Sequence, residues 1–406
     1  MSESSSLLVN AASGHGLIRW MDRLNAWQDL EQLIGLKSNS LNSKDSSQYQ
    51  VLLFSTAWFL NCLGVLDHVE SFRQGWKQTT KLEFVGSDSY WLGCLCRQGP
   101  ALIKRCLSEK QTNLKDQAAM FYCYRQLLMN PAMDVGNNVD DYVDDRLPDL
   151  QLSEKVYTHN YQRIIQNVIL EFNREHFWPN PVVIIDIGAG NGNVLLDVAL
   201  KLERLGFKCV CIAVDPSSVS RRESTKLFSH YPQFQLYVID GSVENPELVV
   251  EFLESKQIRV RQCLLIAKSS FHDRTFDQFE ESVDNVLGQS LSVGDYVYRD
   301  SNWKILTIPS LSQHLTDVLN RWSFCFQNSL LIIMESHIIE SSAIRSYIHK
   351  VPVLPSFLSH SFSAQYLLPF SDHLESLMKT DFSTVHQYPL HALSGDPLMS
   401  LLVAKS

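Results

Sequence analysis

Three short constellations in this sequence carry side chains whose types and spacing suit chemistry. The first is Val182-Val-Ile-Ile-Asp186-Ile-Gly188-Ala189-Gly190-Asn-Gly192, an apolar run, a carboxylate and a glycine bend in front of a helical pattern. Glycines let the backbone approach a ligand closely, and a helix N-terminus offers N–H groups. A dinucleotide fingerprint would want a third glycine three positions after the second, where this chain has Asn193. Asp186 beside the bend is a poor neighbour for a pyrophosphate and a good one for an amino group. Asp215 closes the next apolar run, where a carboxylate can accept from both hydroxyls of a ribose. Asp240-Gly241 closes the third, where an acidic side chain can face an adenine amino group. Taken singly, each aspartate reads as a helix cap or turn former. Three at successive strand ends, on the side where open sheets bind ligands, favour a site for an adenosyl amino acid.

The second and third constellations lie downstream. One is Lys268-Ser-Ser-Phe-His272-Asp273-Arg274; the other begins Met334-Glu335-Ser-His337 and continues to Ser359-His360-Ser-Phe-Ser-Ala-Gln365-Tyr366. Histidine and oxygen donors without cysteine suit a mononuclear iron(II) or manganese(II). Such an ion can bind a β-dicarbonyl and stabilise its enolate. The plainer alternatives are open beside it: Asp273-Arg274 as a loop ion pair, and His360 as a core or cap residue. His337 reads as a base or substrate contact, or as a structural residue, and Tyr366 as a cavity-lining side chain.

These residues need elements to hold them. Short apolar runs at Val182–Ile185, Cys209–Val214, 234–239, 263–267 and 330–334 read as strands buried on both faces of a parallel sheet. Helical stretches alternate with them, notably Asn193–Leu205 with Gly206 as its stop. Weaker strands near 384–388 and 401–404, joined through Gly395 and Pro397, suit an antiparallel hairpin at one end. A helix from about Ser153 to His176 should end before Pro179 and Pro181. The expected fold class is therefore α/β, a Rossmann-like sheet over residues 153–406. Insertions fall at about 269–310 and 337–362. Ahead of it, residues 1–132 read as mainly helical, with segments at 16–36, 49–69 and 114–129 and a small strand-containing element at 80–95. Residues 133–152, with Asp134, Asp140, Asp141, Asp144, Asp145 and Asp149, read as a solvated acidic linker.

A length of 406 residues allows two domains, and 45% apolar with 19% charged residues describes an ordinary globular chain. A formal charge of -9 argues against nucleic acid as the main partner. The first residues lack a basic segment followed by an apolar core, and the run from Val51 to Leu66 is short and interrupted for a bilayer crossing. The expectation is a cytoplasmic protein with no membrane partner. Nine scattered cysteines, several inside apolar runs, suit small buried hydrophobes in a reducing compartment.

From Asp186 onward the chain resembles a class I S-adenosylmethionine-dependent methyltransferase. The segments "SSFHDRTF", "GDYVYRDSNW", "SLLIIMESH" and "SHSFSAQYLL" are similar to C-methyltransferases of polyketide assembly lines, the apratoxin-type loading module above all, which are metal-dependent and carry a helical lid domain. The resemblance implies S-adenosylmethionine as methyl donor and metal ligands at His272 or Asp273, His360 and Gln365. Phe271 and Ala364 depart from the family pattern, which favours acidic residues at both positions. Three functions follow as expectations. The first is methylation of a small or acyl-carrier-tethered acceptor, at carbon and with a metal. The second is metal-independent O- or N-methylation of a natural product. The third is a non-catalytic S-adenosylmethionine-binding subunit.

Overall fold

The computed structural model describes residues 146–259, 262–274, 297–299, 305–338, 366–391, 395 and 397–406. The expected N-terminal helical domain, most of the acidic linker, His360 and Gln365 lie outside these residues, as do most of both insertions.

Two helices lead into the sheet, α1 (Arg146–Asn160) and α2 (Gln162–Arg174). They replace the single helix expected from about Ser153; the helical path starts seven residues earlier and breaks at Tyr161. In α2, Ile165, Val168, Ile169 and Phe172 recur at helical spacing and form its buried stripe. Then follow β1 (Val182–Ile187), α3 (Asn193–Arg204), β2 (Cys209–Val214), α4 (Ser218–Phe228), β3 (Gln235–Ile239), α5 (Pro246–Ser255) and β4 (Leu264–Lys268). The second half holds β5 (Val297–Arg299), β6 (Ile305–Thr307), α6 (Ile308–Cys325), β7 (Leu330–Ser336), α7 (Phe370–Met378), β8 (Ser383–Leu390) and β9 (Met399–Lys405).

Seven strands form one sheet in the order β3-β2-β1-β4-β7-β9-β8. The first five run parallel, while β9 pairs antiparallel with both β7 and β8. The hairpin at one end is thus as expected. The β5–β6 pair is a separate small antiparallel sheet inside the first insertion. The chain winds outward from β1 to β3 and then crosses back to β4. A switch point lies there between β1 and β4, where an open α/β sheet opens a crevice beyond its strand ends.

Every residue of β1, β2 and β4 is buried, as the unbroken apolar runs imply. Strand β3 departs from that expectation. Only Ile239 is buried, because β3 is an outer strand with one neighbour. Side-chain alternation divides the core into two layers. Val183, Ile185 and Ile187 pack with Val249, Leu315, Trp322 and Leu377 from α5, α6 and α7. Val182 and Ile184 pack on the other side with Tyr161, Ile165, Leu195 and Phe228 from α1–α4 and the turn between α1 and α2. Period two therefore places Asp186, and Lys268 after Leu264 and Ile266, toward the α1–α4 side. Cys209, Cys211 and Cys263 are buried thiols, used as small core residues. No described helix is long and apolar enough to cross a membrane.

Candidate active site

The glycine bend joins β1 to α3 at the switch point. Gly188 has φ +73, and a Cβ there would lie 2.7 Å from the Ser270 Cβ, so the loop after β4 rests directly on the bend. Gly190 has φ +56, and a Cβ there would meet Leu150 of α1 at 3.3 Å. Both positions need glycine for conformation and for close approach. Gly192 serves as the α3 N-cap.

The bend's amides are used within the protein. Gly188 and Ala189 both donate to the Val214 carbonyl, at 2.8 and 3.0 Å, and Gly190 donates to Asp215 Oδ2 at 2.8 Å. The sequence suggested amides free to grip a ligand; the structure spends them on fixing the bend to β2. Asp215 is correspondingly buried, and its Oδ1 accepts from the Ser217 amide at 2.9 Å. Burial raises its carboxyl above the usual range, against the pull of Arg146 and of the Gly190 and Ser217 amides. Asp240 sits at the end of β3 with an exposed side chain and pairs with Arg221 of α4 at 2.8 Å. Gly241 beside it is confined, since a Cβ would meet Val214 Cγ1 at 3.2 Å.

Asp186 is the exceptional residue of this half. It is 1% exposed, and neither carboxylate oxygen has a hydrogen bond of normal geometry. Burial pushes its carboxyl up to about 7, Asp215 adds to the rise, and Lys268 and the Leu195 amide of α3 oppose it. An orphaned buried carboxylate costs several kcal/mol, on the order of 1–3 or more, unless something pairs with it. It lines a pocket with Gly188, Gly190, Asn193 and Lys268, and Ser153 and Glu154 of α1 close the rim. Glu154 accepts from the Asn191 side chain at 3.2 Å, and Ser153 accepts from the Lys268 ammonium.

Beyond β4 and β7 lies a second group of polar residues, all buried. His272 Nδ1 bonds Glu335 Oε1, with both side chains at 3% exposure or less. Glu335 also accepts from the Ser336 amide at 3.1 Å, and its other oxygen has no hydrogen-bond partner. Burial alone would raise this carboxyl, but His272, His373 and His337 around it draw it down to about 2. It is therefore a carboxylate at neutral pH. Arg274 anchors the His272 turn by donating to the Phe271 and Leu311 carbonyls and to His314 Nδ1. The Tyr366 amide donates to the His272 carbonyl at 2.7 Å, bringing a segment 94 positions away against the same turn.

Several expected residues find other places. His337 has both nitrogens engaged, Nε2 with Ser400 Oγ at 2.7 Å and Nδ1 with the Leu368 carbonyl at 3.3 Å. Burial lowers it to about 4, so its imidazole is neutral at pH 7. Asp273 is exposed while its neighbours His272 and Arg274 are buried. Tyr366 is packed in the core. Among the described residues, no group of three or more His, Cys, Asp or Glu side chains is placed to hold a metal ion. Lys268 and Glu335 stand in the segments the sequence marks but received no role there, and His373 was not singled out. The one available signal was a charged residue closing an apolar strand, at "LLIIME" and "CLLIAK", because a buried charge needs a partner.

The chain is similar to solved structures of the CurJ carbon methyltransferase (14% identity, covering 100% of this chain and 91% of that one, TM-score 0.41) and the DszA carbon methyltransferase (13%, 100% and 93%, TM-score 0.45). It is also similar to the O-methyltransferase NcsB1 from neocarzinostatin biosynthesis, solved with S-adenosylmethionine and a naphthoic acid (10%, 100% and 97%, TM-score 0.37). No protein of curated function matches it. The family model of the AprA MT2-like domain matches residues 141–394, more than half of the chain. With its doubly wound sheet and glycine bend, the chain belongs to the AprA MT2-like domain family and is a class I S-adenosylmethionine-dependent methyltransferase.

Proposed function

We propose that the chain methylates carbon in an acyl substrate, small or tethered to a carrier, and that His272 held by Glu335 accepts the proton this carbon gives up. The observation that carries the reading is the buried His272–Glu335 pair beyond β4 and β7. It lies two residues past Ser270, which rests on the glycine bend.

The donor site suits an adenosyl amino acid. Asp186 offers an orphaned anion inside the pocket to an α-ammonium group. Each oxygen of Asp215 carries a further lone pair beyond its amide bond, so the same carboxylate can hold the bend and accept ribose hydroxyls. S-Adenosylmethionine, when bound, supplies an electrophilic methyl group on a sulfonium sulfur. What the protein adds is a base that makes the substrate carbon a nucleophile. With Nδ1–H donated to an ionised Glu335, the lone pair of His272 stands on Nε2. Nε2 would take the α-proton, and the electron pair left on carbon would form the new bond to the methyl group as the methyl–sulfur bond breaks and its electron pair stays on sulfur, releasing S-adenosylhomocysteine; the imidazolium is stabilised by Glu335 through Nδ1–H. The same base would serve the hydroxyl of a phenol, so the position of the transferred label separates the carbon from the O- or N-methylation reading.

A metal ion would find its donor at His272 Nε2, because Nδ1 is held by Glu335, a carboxylate–histidine arrangement that leaves the outer nitrogen for a proton or a metal. The other ligands implied by the resemblance, His360 and Gln365, lie outside the described residues.

The reading is tested by supplying methyl-13C S-adenosylmethionine with an acyl thioester and locating the label by NMR. Label on the α-carbon is expected; label on oxygen or nitrogen would overturn the assignment.

A further inference from the structure

Residues 366–373 form one short path alongside the base. At its start the Tyr366 amide donates to the His272 carbonyl at 2.7 Å. In its middle the Leu368 carbonyl accepts from the Ile338 amide at 3.2 Å and from His337 Nδ1 at 3.3 Å, against the chain leaving β7. At its end, on the first turn of α7, His373 packs its ring against that of His337, with centroids 5.3 Å apart and planes at 69°. His373 is 2% exposed, and neither of its ring nitrogens has a hydrogen-bond partner. His337 supplies none, because Leu368 and Ser400 occupy both of its own nitrogens. Glu335, two positions before His337, is left with Oε2 unpartnered in the same way. His373 lies close enough to draw that carboxyl down, and does so more strongly than His337.

Two buried polar groups left apart in this way are costly unless a third group joins them. Burial and the neighbouring His337 lower His373 to about 3, so its imidazole is neutral and offers one N–H and one lone pair. Glu335 Oε2 offers only lone pairs. A donor short of its acceptor, with both out of solvent, is the setting in which proteins hold a buried water. We propose that one bridging water accepts from the His373 N–H and donates to Glu335 Oε2, making His373 a positioning residue for the base. The water fixes the rotation of the carboxylate, so that Oε1 stays on His272 Nδ1 while Nε2 works. This role for His373 rests on the base assigned to His272 above and extends it by one residue. His272 is the group that touches substrate; His373 acts through Glu335 alone.

The test uses the full chain. A high-resolution crystal structure of the wild type is expected to show one ordered water within about 3.2 Å of both a His373 nitrogen and Glu335 Oε2. The two side chains joined by no water, or His373 bonded elsewhere, overturns the proposal without any variant having to fold. The consequence is read in the loss of deuterium from the α-carbon of an acyl thioester with S-adenosylhomocysteine bound. His373→Leu should slow that loss about tenfold, the lower end for a residue behind a working group, with thioester and S-adenosylhomocysteine affinities kept within about twofold. His373→Gln, which keeps an N–H to give, should recover most of the wild-type rate. A wild-type rate in His373→Leu overturns the proposal. Equal slowing in both variants overturns it too, by showing that His373 serves packing alone. A wild type that releases no deuterium overturns the base itself, whatever the water shows, which separates that failure from this one.

Discussion

The two halves of the site are built on opposite plans. At the ends of β1 and β2 the Gly188, Ala189 and Gly190 amides are tied to Val214 and Asp215, and the buried Asp186 carboxylate has no hydrogen bond of normal geometry. At the ends of β4 and β7 the charges are paired inside the protein, His272 with Glu335 and Arg274 with His314 and two carbonyls. The first half holds a charge in reserve for a ligand. The second holds a charge ready for a proton. A rigid receptor and a tuned base are the two things a methyl transfer from a sulfonium donor to a carbon acid requires.

Variants can separate the halves, and the largest effect is expected at the base. His272→Ala should lower kcat by about 10²–10⁴-fold, the usual worth of a positioned general base, with S-adenosylhomocysteine affinity unchanged. Single-turnover kinetics and calorimetry on the same preparation check this; a loss of affinity equal to the loss of rate would merge the two halves. Glu335→Gln should cost roughly 10–100-fold in kcat, the scale for a residue that orients another, again without weakening the donor.

Asp186→Asn should do the reverse, weakening S-adenosylhomocysteine by roughly 10–100-fold with a smaller effect on the rate of bound substrate. The same residue gives the donor half a pH signature. Its carboxyl is held at about 7, against 3.8 ordinarily, so the ligand-free folded protein binds more protons than the unfolded chain between those values. Its contribution therefore stabilises the ligand-free fold toward pH 4 and is lost as pH rises through about 7. Binding of an ammonium needs the anion, so donor affinity should fall by up to about tenfold per pH unit below 7 in the wild type. It should stay flat in Asp186→Asn. The last effect is expected where the halves touch, and it falls on stability rather than on rate or affinity. Gly188→Ala forces a Cβ toward Ser270 at φ +73 and should cost on the order of 1–3 kcal/mol in denaturant unfolding.

The halves also differ in how far the sequence discloses them. β2 spans the expected residues, and the strand–bend–helix unit at Val182–Arg204 is written locally, in an unbroken apolar run, three glycines and a helical period. Asp186 stood out because it interrupts that pattern. The acceptor half depends on the pairing of His272 with Glu335 across 63 positions, which no local period encodes. The sequence accordingly marked His272 and passed over Glu335. For His337 it left a chemical and a structural role open, since nothing local announces that Ser400 and Leu368 would occupy both its nitrogens. The break at Tyr161 was hidden for a similar reason. That side chain turns inward to the Glu335 carbonyl, 174 positions away, where propensity alone would continue the helix.

The central claim is that His272, supported by Glu335, removes a proton from carbon, and proton removal can be watched apart from methyl transfer. With S-adenosylhomocysteine in the donor site, an acyl thioester deuterated at its α-carbon should lose deuterium to water faster with the wild type than in buffer. With His272→Ala the loss should fall to the buffer rate. Equal washout by the two proteins would contradict the account.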